Sequence, residues 1–342
     1  MKNRVYIDSR CQILYSSYYI LGLYEKYGKE NVKFGNNYFK LLSYSGRSDF
    51  DQFFAFVVID NQSQKLMRCI VDYGDQNYIS ESAYIWTDVY AKINICKDYV
   101  IFREKLLSIP PSFGIKIYNK YQNRYIAIAN LIKCFFNRPV SIKTFIGSYN
   151  ACAFRQPIAN YLSISKDEQQ EYVFFASTLW SHQECIDYTN PLRYSFMKAA
   201  KSSVEMFEGG FISKNNSSEA SKYEDMLSPI RVKPSEYILK IKKSLFVFNT
   251  PAVHNCHGWK LGEFLAMGKA IISTPLSNKL PGELKHNEHI LIVNTTVELT
   301  NAIEKLKDRI FREKLQKNSK IYYENYASPQ AVINLIVNSG KQ

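Results

Sequence analysis

Acidic residues are in short supply in this chain. Only 31 Asp and Glu stand against 44 Lys and Arg in 342 residues, a net charge of +13, which suits anionic partners. The seven cysteines are odd in number and contain no Cys-x-x-Cys pair. That excludes a disulfide scaffold and predicts buried, reduced thiols in a cytoplasmic protein. No apolar run approaches the ~20 residues of a membrane span; one of the longest, Phe53-Phe-Ala-Phe-Val-Val-Ile59, has the length of a strand. Met1-Lys-Asn-Arg-Val-Tyr-Ile-Asp8 shows no basic start leading into an apolar core, so no signal peptide is expected. No Gly-x-Gly-x-x-Gly follows the first strand, which argues against a nicotinamide dehydrogenase. The stretch from Gly262 to Lys269 imitates a phosphate-binding loop. It has five residues between its glycines instead of four, and Ala270 stands where a magnesium-holding Ser or Thr would be. His182, Cys185, His254, Cys256 and His257 match no zinc spacing, and no metal is expected.

What is present is an alternation of strands and helices, in two runs. Residues 4–8 read as a strand and 15–26 as the helix after it. Residues 32–34, 53–60 and 65–72 read as further strands, the run at 53–60 resembling a parallel strand buried on both faces. Residues 84–96 alternate like a strand, and 115–136 are helical in part. A second run begins at 171, with strands at 172–177, 204–207, 245–249 and 270–274. Helices at 192–202, 235–243 and 296–307 accompany it, with a terminal helix near 311–337. The predicted architecture is α/β, two doubly wound Rossmann-like domains facing across a cleft. Their bounds are 1–165 and 166–342, with a linker near 163–170 and a C-terminal helix crossing back to the first domain. In such sheets ligands sit at the carboxyl ends of the strands, so the cleft is the expected site.

The positive charge is concentrated. Residues 89–165 hold eleven Lys or Arg against only Asp98 and Glu104, with Phe113, Tyr118, Tyr121, Tyr125, Phe135, Phe136 and Phe145 interleaved. A solvated basic face over an ordinary aromatic core accounts for this equally well. Because Ile126, Ile128, Leu131 and Ile132 sit among the aromatics, the inner face of a membrane fits better than nucleic acid, and no nucleic-acid partner is expected.

The most specific signal is His257-Gly-Trp-Lys-Leu-Gly-Glu-Phe-Leu-Ala-Met-Gly-Lys-Ala-Ile-Ile-Ser-Thr-Pro275. Leu261, Phe264 and Leu265 recur at helical spacing, and Lys260 and Glu263 share another face. Gly258 precedes the helix and Gly268 ends it; Pro275 stops the strand that follows. A helix N-terminus with free N–H donors, a lysine and a nearby histidine makes a seat for a diphosphate. The same Lys260 and Glu263 would also make an ordinary surface ion pair.

This segment resembles the donor-binding motif of GT-B-fold glycosyltransferases, the bacterial surface-polysaccharide and exostosin-like kinds especially. Glu263-Phe-Leu-Ala-Met-Gly-Lys-Ala-Ile-Ile-Ser-Thr274 follows the family's acidic helix end and strand, and Leu280-Pro-Gly-Glu283 with His289-Ile-Leu-Ile-Val293 resembles its continuation. The likeness covers about 172–335. Asn255 stands where the first of the family's two glutamates would be, so only the ribose-binding role carries over, to Glu263. The resemblance implies that a nucleotide-diphosphate sugar is the co-substrate, with no separate cofactor. It also implies that Arg193 and Lys198 reach the donor diphosphate with His257, Gly258 and Lys260.

Glu208 and Gly209 are expected to end a strand at the cleft edge, where glycine allows close backbone approach. Among Asp8, Asp72 and Asp88, the last is the first candidate for a general base, because it adjoins the basic segment. Together these readings predict a cytoplasmic glycosyltransferase, peripheral at the inner membrane surface. It would move a sugar to a glycan or lipid-linked acceptor in surface-polysaccharide synthesis. The rivals are a non-enzymatic module binding nucleic acid or anionic glycans, and a nucleotide-sugar epimerase of the same architecture.

Overall fold

The computed structural model describes residues 3–97, 103–163, 171–213, 218–228 and 231–341. The chain divides into two compact units. The first comprises Met1–Ile158, Asn278–Pro281 and Glu324–Gln342, the second Ala159–Ser277 and Gly282–Tyr323. Most of the expected linker near 163–170 lies outside the described residues.

Unit 1 contains β1 (Arg4–Asp8), α1 (Ile13–Tyr27), β2 (Val32–Gly35), α2 (Arg47–Gln52), β3 (Phe53–Ile59), β4 (Leu66–Asp72), α3 (Glu81–Trp86), β5 (Val89–Lys92), β6 (Leu106–Ser108), α4 (Lys120–Cys134) and α5 (Ile142–Ala153). Its sheet runs β2-β1-β3-β4-β5-β6. β1 with β2, β4 with β5 and β5 with β6 are parallel, whereas β3 is antiparallel to both its neighbours. The expected parallel direction of 53–60 is therefore corrected. Every residue of β3 is buried, so its continuous apolar run reports cover on both faces and says nothing of direction. Direction is set by the short turn to β4, where Asp60 Oδ1 accepts the Gln62 and Ser63 N–H groups. The strand expected at 84–96 is also corrected: the run begins as helix α3 and only 89–92 is strand. No disulfide joins the seven cysteines, and all but Cys96 are buried.

Unit 2 contains α6 (Ile158–Leu162), β7 (Tyr172–Thr178), α7 (Asn190–Ser203), β8 (Met206–Ile212), α8 (Ser218–Ser221), α9 (Pro234–Lys243), β9 (Phe246–Asn249), α10 (Trp259–Ala266), β10 (Ala270–Ser273), β11 (Leu291–Ile292), α11 (Thr296–Lys305) and α12 (Arg309–Tyr322). All its strand pairings are parallel: β7 with β8, and β9, β10 and β11 in a second ladder. The Leu245 N–H donates to Tyr172 O at 2.9 Å and the Phe174 N–H to Ser244 Oγ at 2.9 Å. These bonds set β7 beside the residues that lead into β9, so the two ladders lie side by side. α7 packs on α11 and α10 on α12. The core is aromatic: Phe196 stacks on Phe248 with centroids 4.4 Å apart, and Phe175 meets Phe196 edge-on at 5.2 Å. Each such pair contributes ~0.5–1.5 kcal/mol beyond its burial.

The terminal helix expected near 311–337 is two helices. α12 passes through a π-helical turn at Tyr323–Ala327 into α13 (Pro329–Ser339). With that turn the chain re-enters unit 1, where the Tyr18 hydroxyl donates to Ala327 O at 2.7 Å. Among the described residues no helix is long and apolar enough to cross a membrane.

Candidate functional site

The candidate site lies at the carboxyl ends of β7 and β9 in unit 2. Gly258 is the N-cap of α10, with φ −76°. An added Cβ there would meet only Ala252, at 3.8 Å, so the fold of this unit does not require glycine, and its small size leaves space over the helix N-terminus. No acidic residue lies in the first turn of α10, and the start of a helix carries partial positive charge. Lys260 follows two residues later. Its Nζ donates to Ala176 O at 2.6 Å and sits 4.5 Å from the centroid of the Phe175 ring. Although the residue as a whole is only half-buried, burial of this end brings its pKa down to about 7; Arg193 pushes the same way and Glu263 opposes them.

Arg193, in the first turn of α7, is 5 % exposed. Its Nε donates to Thr250 Oγ1 at 2.9 Å and its Nη1 to Thr178 O at 3.3 Å. Burial lowers its pKa to about 10, which still leaves it charged at neutral pH. The start of α7 is fixed from the other side by Asn190, whose Nδ2 donates to Trp180 O at 2.8 Å. Two cations thus converge close enough to repel one another, beside a helix N-terminus. Among the described residues neither forms an ion pair with a carboxylate. This arrangement is stabilised by an anion.

Glu263, one turn further along α10, is buried. It lies beside Tyr237 of α9, whose hydroxyl is held well above its usual pKa by burial and, next, by the Glu263 carboxylate. His257 is buried directly ahead of the helix. His254 and Asn255 both have positive φ, 58° and 54°, a region that Asn tolerates far better than Glu. Asn255, which stands where the motif that this segment resembles has its first glutamate, thus sits at a position whose backbone favours asparagine.

The remaining candidates lie elsewhere. Lys198 is exposed on α7 and pairs with Asp225 at 3.1 Å. Glu208 and Gly209 do not end a strand, because β8 continues to Ile212. The Glu208 carboxylate is held by the Tyr172 hydroxyl at 2.7 Å and by Lys240. A Cβ on Gly209, whose φ is +119°, would lie 2.0 Å from Phe175 O; its glycine serves the approach of β8 to β7. Asp88, the first candidate for a general base, belongs to unit 1. It precedes β5, at the amino end of the parallel strands, and accepts the Arg68 N–H at 2.7 Å. Asp72 and Asp8 do lie at carboxyl ends of strands, but each is committed internally, Asp72 to Lys92 and Asp8 to Arg10. The contributions of Phe175, Ala176 and Tyr237 were missed, since nothing in an apolar strand or an amphipathic helix marks which residue will face a neighbour's lysine or glutamate.

No protein-family model matches the chain, and no curated protein matches it. Among solved structures it is similar to TarM, at 9 % identity over 79 % of this chain and 48 % of that one, with a TM-score of 0.43. It is also similar to HepE from Anabaena, solved with UDP-glucose, at 10 % identity over 77 % of this chain and 76 % of that one, TM-score 0.38. A third is WaaG, a glycosyltransferase involved in lipopolysaccharide biosynthesis, at 13 % identity over 72 % of this chain and 62 % of that one, TM-score 0.37. The chain spans about half the length of TarM.

Proposed function

We propose that unit 2 binds a nucleotide-diphosphate sugar and that the protein transfers the sugar to a glycan or lipid-linked glycan. One observation carries this reading: Arg193 and Lys260 converge, with no acidic ion-pair partner among the described residues, beside the N-terminus of α10 at the carboxyl ends of parallel strands. The diphosphate would accept hydrogen bonds from the first-turn N–H groups of α10 and from the two cations. Glu263 would accept the ribose hydroxyls. As the bond between the anomeric carbon and the diphosphate oxygen breaks, negative charge grows on the leaving group, and fixed cations at that point stabilise the transition state. The acceptor hydroxyl supplies the new bond to the anomeric carbon and releases its proton. Likeness of the 257–275 segment to the glycosyltransferase donor motif supports the same assignment.

Calorimetric titration of nucleotide-diphosphate sugars against pH tests it. The diphosphate of such a donor is a diester and stays fully ionised around neutrality, so Lys260 provides the change. An anion binds the protonated amine. Affinity is expected to be level below about pH 7, the pKa of Lys260. Above that it should fall roughly tenfold per pH unit until the raised pKa of the complex is reached. Lys260→Arg, whose guanidinium stays charged, should remove the inflection. A level profile in the wild type, or the same inflection in Lys260→Arg, would count against the assignment.

A further inference from the structure

Helix α4 of unit 1 is inside out. Its residues facing the unit's interior are Asn123, Ala127, Asn130 and Cys134, spaced four, three and four apart. Asn123 Nδ2 donates to Tyr149 O at 3.0 Å and Asn130 Nδ2 to the Tyr149 hydroxyl at 2.9 Å. A second stripe with the same spacing, two residues out of step, faces away: Tyr121, Tyr125, Ile128 and Ile132, which are 81, 74, 57 and 70 % exposed. The helix is well formed, with an Asn119–Gln122 capping box at its start, so the stripe is presented on a fixed frame. Phe136, just past its end, is fully exposed. A helix on a water-facing surface normally shows the reverse pattern, and a contiguous apolar stripe of this kind marks an interaction site.

Charge selects the partner. No Asp or Glu occurs between Glu104 and Asp167, while Lys120, Arg124, Lys133, Arg138 and Lys143 border the stripe in sequence. Two copies of this face would bring like charges together with no acid to pair them, which disfavours a homodimer. A polynucleotide would satisfy the cations and could stack on the tyrosines, but it offers nothing to the isoleucines. An anionic bilayer surface satisfies both: lipid headgroups take the basic rim, the acyl boundary takes Ile128 and Ile132, and the tyrosines sit at the interface between them. We propose that the exposed face of α4 docks on a membrane bearing anionic lipids. This proposal stands independently of the donor site.

The test is co-sedimentation of the intact protein with phosphatidylcholine vesicles containing phosphatidylglycerol, against phosphatidylcholine alone. Wild type is expected to bind the anionic vesicles at least about tenfold more strongly at low salt. The double variant Ile128→Glu/Ile132→Glu should lower that partitioning by roughly tenfold or more. Lys120→Gln/Arg124→Gln should lower it by roughly fivefold for each charge removed, and donor binding in unit 2 should be unchanged in both. Because acidic side chains alter helix preference as well as polarity, Tyr121→Ser/Tyr125→Ser supplies a second reading, and it too should weaken binding. The proposal is overturned if wild type ignores anionic vesicles or if these variants sediment as wild type does. It is overturned equally by a stable dimer that Ile128→Glu/Ile132→Glu dissociates. Polynucleotide binding that outcompetes the vesicles and is lost in the same variant would also refute it.

Discussion

Replacing Lys260 by alanine is expected to lower kcat/KM for sugar transfer by about a hundredfold to a thousandfold, the range found when one preorganised donor to a developing anion is removed. Lys260 both donates to the backbone of β7, at Ala176 O, and belongs to the first turn of α10. A diphosphate seated there would lose a charge-assisted hydrogen bond, worth about 2–5 kcal/mol in a desolvated pair. Stability should respond in the opposite sense or not at all. In the free protein the ammonium is held against burial and against Arg193, so its removal relieves a cost. Arg193→Ala should behave differently. Arg193 is buried and bonded to Thr250 and Thr178, so its loss should lower both activity and melting temperature. Steady-state kinetics over a panel of donors, with thermal melts of both variants, separates the two effects. A Lys260→Ala enzyme within threefold of wild type would remove Lys260 from the donor site.

The largest effect on stability is expected in unit 1, at Asp72. Asp72 and Lys92 are both fully buried, at the carboxyl ends of β4 and β5, with Nζ and Oδ1 2.9 Å apart. Oδ1 also accepts the Gly74 N–H at 2.9 Å, while Oδ2 accepts the Tyr90 hydroxyl at 2.6 Å and Gln52 Nε2 at 2.9 Å. Asp72→Ala leaves a buried lysine charge with no counter-ion, and a loss of about 3–5 kcal/mol is expected. Adding Lys92→Met should recover much of it, because the penalty comes from the orphaned charge more than from the missing pair. Urea unfolding of the single and double variants measures both. A single variant as stable as wild type, or a double variant no better than the single, would show that the pair is not the source.

The contrast between these two sites shows what could be read from the chain and what could not. The fold of the 257–275 segment was legible because its information is local. Glycines at both ends, apolar spacing of 3.6 and a stopping proline together define helix α10 and strand β10, and Lys260 must then fall in the first turn. Arg193 was reachable through the resemblance, but its bond to Thr250 depends on how β9 lies beside β7. Directions and strand ends were not legible. The apolar run of β3 is the same whether its neighbours run with it or against it, so a strand read as parallel proved antiparallel. The strand read at 84–96 was too long because residues 84–86, which alternate as a strand would, fold as the end of α3 and leave Asp88 ahead of β5. The strand end expected at Glu208 and Gly209 was misplaced for a tertiary reason: glycine at 209 is required by the Phe175 carbonyl 2.0 Å from where its Cβ would be, and no local pattern distinguishes that from a turn. For α4, composition pointed to a basic, aromatic surface, but only the fold shows that the asparagines turn inward and the isoleucines outward.

A crystal structure of the protein grown with UDP or GDP decides where the leaving group is held. The diphosphate should appear within hydrogen-bond distance of the first-turn N–H groups of α10 and of Lys260 Nζ, with the ribose hydroxyls on Glu263. A nucleotide bound elsewhere, with Lys260 still on the Ala176 carbonyl and the helix end uncovered, would contradict it.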